Sequence, residues 1–201
     1  MKILALELSS ARGSLAWRDG DLEWARDWPN DRKNSGEFFQ NLAEVQKQFG
    51  PPARIVVGLG PGSYAGTRIA ISAGIGLQLA TKAELIGLPS LCAIECDASE
   101  YAVAGDARRQ SFFLAQVRAR IVSAPPVLQS EAELRSALAS LSSAVPVFAF
   151  EELRQFDGVL VRYPSAEILA RLAAEENRAF VLPPLEPMYL REPHITTPKQ
   201  K

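Results

Sequence analysis

The period of apolar and polar positions changes several times along the chain, and each change predicts an element. Residues 2–8 (KILALEL), 14–18 (SLAWR) and 22–28 (LEWARDW) are short apolar-rich runs joined by the turn signals SSARG and RDGD, a pattern that predicts an antiparallel meander. From Asn34 to Phe49 the spacing becomes helical, with Phe38, Phe39, Leu42, Val45 and Phe49 along one stripe. Ser35 is the expected N-cap, and Gly50-Pro51-Pro52 ends the helix. RIVVGLG (54–60) suits a buried parallel strand, and a glycine loop then opens a helix to about Lys82. ELIGLPSL predicts a further strand, followed by a helix carrying Cys92 and Cys96.

The opening then repeats in outline. YAVAGDARRQSFFLAQVRARI (101–121) is again an apolar strand ending in an acid, a polar turn and a second apolar strand, with Asp106 in the place of Glu7. A helix at 131–141, strands at 146–150 and 158–163, and a helix at 165–176 supply a smaller second half. The tail PLEPMYLREPHITTPKQK is proline-rich and aperiodic, so it is expected to be extended, with Met188, Tyr189 and Leu190 tying its first part to the body. The expected division is an N-terminal subdomain over 1–100, a smaller one over 101–182 and a tail over 183–201.

Composition narrows the function classes. With 47% hydrophobic and 22% charged residues the chain reads as an ordinary globular protein. A net charge of −1 removes the case for gripping nucleic acid by its phosphates, so a role near RNA must run through a partner. Glu7 interrupts the N-terminal apolar run before it reaches signal-peptide length, and no window approaches the roughly 18 to 20 apolar residues of a membrane span. The expectation is a cytoplasmic protein with no membrane association. Two cysteines and the single histidine, His194, cannot make a four-ligand zinc site, and no metal is expected.

Six of the 13 glycines fall between Gly58 and Gly76, in GLGPGSYAGTRIAISAGIG, with no lysine among them. A Walker loop needs four residues between its glycines and then a lysine; here five separate Gly60 from Gly66, and Thr67 and Arg68 follow. Gly60, Gly62 and Ala65 fit a dinucleotide fingerprint, but three strands and a helix precede it and Glu84 begins the next strand instead of ending it. The helix itself carries the stronger signal. Ile69, Ile71, Ile75, Leu77 and Leu79 are large, while Ala70, Ala73, Gly74, Gly76 and Ala80 keep the surface flat. A helix apolar all round must be covered all round, and each interior glycine costs about 1 kcal/mol relative to alanine. Either the domain covers both sides itself, or a second protein molecule covers the outer one.

These residues resemble those of the bacterial TsaB family, also called YeaZ. GLGPGSYAGTRIAISAGIGLQLA is similar to its signature loop and helix, MKILALELSSARGSLAW to its opening hairpin, GLPSLCAIECDA to its next strand and helix, AGDARRQSFFLAQV to its second-half hairpin, and PMYLRE to its closing segment. The resemblance implies an α/β protein with the duplicated actin/Hsp70-like (ASKHA, ribonuclease H-like) fold, mixed sheets and flanking helices. It implies a non-catalytic partner of TsaD in forming N6-threonylcarbamoyladenosine at position 37 of tRNAs reading ANN codons. TsaE would join through the TsaD complex, tRNA would be touched only indirectly, and the chain alone would form a homodimer.

The implied partner surface comprises Phe38, Phe39, Leu42 and Val45 on the first helix and Arg68, Ile69, Ser72, Ala73, Gly76 and Ala80 on the second. Glu7 and Asp106 end corresponding strands and are read as a carboxylate pair facing across a cleft. With Gly60, Gly62 and Ser63 they make a vestigial nucleotide site, with no resident cofactor and at most weak ATP or ADP binding, in the complex. The chain departs from the family in having Glu7-Leu8 where aspartate-threonine is usual, and in lacking a histidine near the start of the first helix. TsaD holds its metal with two histidines four apart on a helix, a pair this chain does not have. The competing reading is a self-standing ATP-dependent, sugar-kinase-like enzyme of the same fold.

Overall fold

The computed structural model describes residues 1–30 and 35–190. Strands β1 (Ile3–Glu7), β2 (Arg12–Asp19) and β3 (Leu22–Pro29) form the expected meander; β4 (Arg54–Gly58) and β5 (Glu84–Leu88) extend it in parallel, giving the order β3-β2-β1-β4-β5. Period-two alternation sends Leu4, Leu15, Trp17, Ile55, Val57 and Leu85 to one face, where helices α1 (Gly36–Phe49) and α2 (Tyr64–Thr81) cover them. Ile3, Ala5, Ala16, Val56 and Ile86 point to the other face, covered by helix α4 (Ala166–Ala173; α3 is described below) from the far end of the chain. Burial on both faces is why β1 and β4 read as unbroken apolar runs.

The second sheet repeats this plan. Strands β6 (Glu100–Asp106), β7 (Phe112–Arg118), β8 (Ile121–Val122), β9 (Val127–Gln129), β10 (Val147–Ala149) and β11 (Val159–Val161) run in the order β11-β10-β6-β7-β8, with β9 also on β7. β6 and β7 are antiparallel, and β10 and β11 are parallel to β6, as in the first sheet. Helix α3 (Glu131–Ser140), held by a Ser130–Glu133 capping box, occupies the place of α1. The chain has the duplicated actin/Hsp70-like fold, with two mixed sheets and four helices among the described residues.

Two local expectations are corrected. The third strand of the second half, which the sequence reading did not predict, exists as the fragments β8 and β9 on either side of Pro125-Pro126, where the ladder loses its N–H donors. The expected helix through both cysteines is only a 3₁₀ turn over Ser90–Ala93. Carbonyls that a continuing helix would pair along its axis are used otherwise: the Arg120 guanidinium donates to those of Cys92, Ile94 and Cys96. Cys92 is buried, and burial pushes its thiol up to about 11. Among the described residues, no helix is long and apolar enough to cross a membrane.

Candidate functional site

A cleft of about 650 Å³ opens where the carboxyl ends of β1, β4 and β6 meet. Its walls include Ser9, Gly62, Ser63, Asp106 and Arg109, and Pro187 to Leu190 close one side. The closing segment is seated by a hydrogen bond from the Met188 N–H to the Leu59 carbonyl at 2.7 Å, with Met188 and Leu190 packed on the second-sheet core. Sequence reasoning expected this tie.

The structure separates the two carboxylates that the sequence paired. Asp106 lines the cleft and accepts hydrogen bonds from the Arg108 backbone N–H at 2.6 Å and from its guanidinium at 3.2 Å. Glu7 is fully buried and is not part of the cleft wall. One of its oxygens accepts from the Ser9 N–H at 2.6 Å and the other from the Ser90 hydroxyl at 2.6 Å. Ser90 Oγ in turn accepts from the Gly60 N–H at 3.0 Å. The carboxylate lies against Gly58, where any side chain would overlap it. Glu7 is therefore a staple beneath the glycine loop and not one half of a facing pair. Burial outweighs these hydrogen bonds and raises its pKa above the usual carboxylate range.

The loop residues divide in the same way. Gly60 is part of the staple and takes φ +88°, which a side chain would strain. Gly62 and Ser63 face the cleft. Ser63 caps α2, its hydroxyl accepting from the Gly66 N–H at 3.3 Å, while its own N–H donates to the Ser9 carbonyl at 2.6 Å. Ser9 Oγ is buried without a hydrogen-bond partner among the described residues.

The ten residues expected to meet a partner also fall into two sets. Phe38, Leu42 and Val45 are buried in the chain's own core, against the first sheet. They are therefore not available to a partner: the amphipathic stripe of α1 is used up internally, with Phe49 stacked on Trp17 at 5.3 Å. Phe39, its ring edge-on to that of Phe38 at 5.0 Å, is 49% exposed. On α2, Arg68, Ser72, Gly76 and Ala80 are exposed, and Ile69 and Ala73 are half-buried at the margin of the core that holds Phe38.

The two glycines of the α2 interior have opposite surroundings. A side chain on Gly74 would stand 3.1 Å from Leu85 Cδ1 and Val57 Cγ2, so this glycine lets the helix approach its own sheet. Around Gly76 there is nothing within 4 Å. The exposed arc also contains Tyr64, Ile75 and Leu79, the last 68% exposed. Sequence reasoning left these three out of the surface; the spacing Tyr64–Arg68–Ser72 and Ile75–Leu79, repeated every four residues, was the signal for it. His194 lies outside the described residues.

Solved structures share this architecture. An uncharacterized protein with similarity to peptidase YeaZ from Pseudomonas aeruginosa superposes with a TM-score of 0.76 at 21% identity, over 94% of this chain and 99% of that one. YeaZ from Pseudomonas aeruginosa superposes with a TM-score of 0.69 at 21% identity, over 86% and 90%. The resemblance to TsaB (YeaZ) holds across the fold. A family model described as TsaD, tRNA N6-adenosine threonylcarbamoyltransferase, matches residues 38–131, the stretch from α1 through β9. No curated protein matches the sequence significantly. α1 and α2, named by the sequence resemblance, fall together on one side of the first sheet, and the cleft lies at the glycine loop and the N-terminal end of α2.

Proposed function

We propose that this chain is a non-catalytic subunit that docks a TsaD-family partner through the exposed face of α2 and so supports formation of N6-threonylcarbamoyladenosine at position 37 of tRNA. The observation that carries the reading is Gly76. A glycine inside a helix costs about 1 kcal/mol relative to alanine. Gly74 offsets that cost by close approach to its own sheet, whereas Gly76 faces open space on an arc that also exposes Ile75 and Leu79. Close approach of another protein's backbone is the compensation the chain itself does not supply. The TsaD-family match and the YeaZ-like fold support the choice of partner. Glu7 supports the non-catalytic role, because the carboxylate at the end of β1 is engaged in holding the loop. The chain's single histidine cannot supply a two-histidine metal site. TsaE would join through the partner, and any ATP or ADP contact at Gly62, Ser63 and Asp106 would be weak.

Size-exclusion chromatography of the chain mixed with a TsaD-family subunit tests this. Co-elution is expected, and Gly76→Arg, which places a long side chain in open space, is expected to remain folded and to elute alone. A homodimer that never exchanges with the partner would overturn the reading, as would kinase-like ATP turnover by the isolated chain.

A further inference from the structure

The exposed arc of α2 begins at Tyr64, and the closing tail reaches the same point. The Tyr64 and Tyr189 rings lie 5.5 Å apart, tilted by 33°, and are 49% and 42% exposed. Arg68, one turn along, donates to the Tyr64 hydroxyl and holds its guanidinium 5.1 Å from the Tyr64 ring centre. The tail, one end of α2 and the exposed arc thus form one continuous surface, made of the tyrosine and arginine side chains that dominate protein interfaces.

Along α2 the charge is one-sided, and the nearest acid of the tail is the exposed Glu186, which acts on Tyr189 together with Arg68. Arg68 is the only charged residue between Tyr64 and Thr81. No carboxylate among the described residues pairs with it, although its neighbours along the arc, Ser72, Ile75 and Leu79, are neutral or apolar and leave it accessible. A second copy packed α2 on α2 would bring two Arg68 guanidinium groups onto stripes that carry no acid of their own. A partner that answers this surface presents an apolar helix face with a carboxylate at one end.

We infer that Tyr64, Arg68 and Tyr189 are the anchor of the docking face: Arg68 receives a carboxylate of the TsaD-family partner, and the partner covers the tail as well as α2. This rests on the docking proposed above. It also adds a coupling. Because the Met188 N–H holds the tail to Leu59 at the cleft, a partner that covers Tyr189 holds the cleft closed on that side.

Binding of a TsaD-family subunit to the full chain, measured by titration calorimetry, is expected to weaken about tenfold for Arg68→Ala and for Tyr189→Ala, to stay within about twofold for Tyr189→Phe, and to weaken with added salt in the wild type but not in Arg68→Ala. Thermal unfolding of Arg68→Ala, an exposed residue, is expected to match the wild type. Hydrogen exchange at the Met188 amide is expected to slow when the partner binds. If the wild type binds and Gly76→Arg does not, yet Arg68→Ala and Tyr189→Ala both bind within about twofold of the wild type, the anchor is overturned and the docking surface stands. If Arg68→Ala instead weakens self-association alone, the assigned occupant is overturned. If the wild type does not bind at all, both proposals fall.

Discussion

The two halves of the molecule share one strand order but differ in what joins their fourth and fifth strands. In the first half the connection is α2, an 18-residue helix; in the second, residues 150–158 carry the chain from β10 to β11 in turns. The halves also differ at the acid that ends the leading strand. Glu7 is locked under the glycine loop, whereas Asp106 borders open space and is tied to Arg108 of its own turn. The difference shows where the fold invests its order. The first half fixes a helix and the loop that launches it. The second closes over the cleft and contributes no comparable helix face.

Four expected effects sharpen that contrast. The largest effect is expected at α1, where adjacent phenylalanines differ sharply in burial. Phe38→Ala removes a ring that is 1% exposed and should cost about 3–5 kcal/mol in urea unfolding, against under about 1 kcal/mol for Phe39→Ala. Equal losses would mean that α1 has no free side.

Ser90→Ala comes next. It strips a partner from both the Glu7 carboxylate and the Gly60 N–H, both buried, and should cost about 2–3 kcal/mol. Asp106→Ala, at the corresponding place in the second half, should change stability by less than about 0.5 kcal/mol. If the two losses are alike, the staple reading of Glu7 is wrong.

The third effect depends on pH. Because the folded state raises the Glu7 pKa, the native chain takes up its proton at a higher pH than the unfolded chain does. Stability from this group is therefore fully present at or below the ordinary carboxylate range, falls as pH rises toward the raised value, and is flat above it. Glu7→Gln should lose that component, so the wild type should gain stability relative to the variant on acidification from pH 8 to pH 5. A difference that does not change with pH would show that Glu7 titrates normally.

The smallest effect has two signs. Gly76→Ala should stabilise the isolated chain by about 0.5–1 kcal/mol while weakening partner binding. Gain in both measurements would remove the reason for keeping a glycine there.

The fold was legible in the sequence wherever burial was two-sided or strictly periodic. LALE and IVVG read as covered strands, and the stripe through Phe38, Leu42 and Val45 read as a helix face. What that stripe met was not legible. A local pattern records that a face is apolar but not whether sheet or stranger covers it, and for α1 it was the sheet. The all-round apolarity of α2 was informative for the opposite reason, since one sheet cannot cover two sides. The third strand of the second half escaped because two prolines break it. The cysteine segment was misread because its shape is imposed by Arg120, 28 residues from Cys92 in the chain and invisible to any short window. Glu7 and Asp106 were correctly matched as repeats, yet the site they were meant to share requires side-chain directions that strand periodicity does not give.

The position of α4 has a consequence for how the molecule is made. The far face of the first sheet, with Ile3, Ala5, Val56 and Ile86, is sealed by residues 166–173, and the Ser14 hydroxyl accepts from the Ala166 N–H across 152 residues. A nascent chain emerging from the ribosome has the whole opening sheet in hand long before its lid is translated. Until then that greasy face stays wet, so the protein cannot finish its first half before it has nearly finished its last.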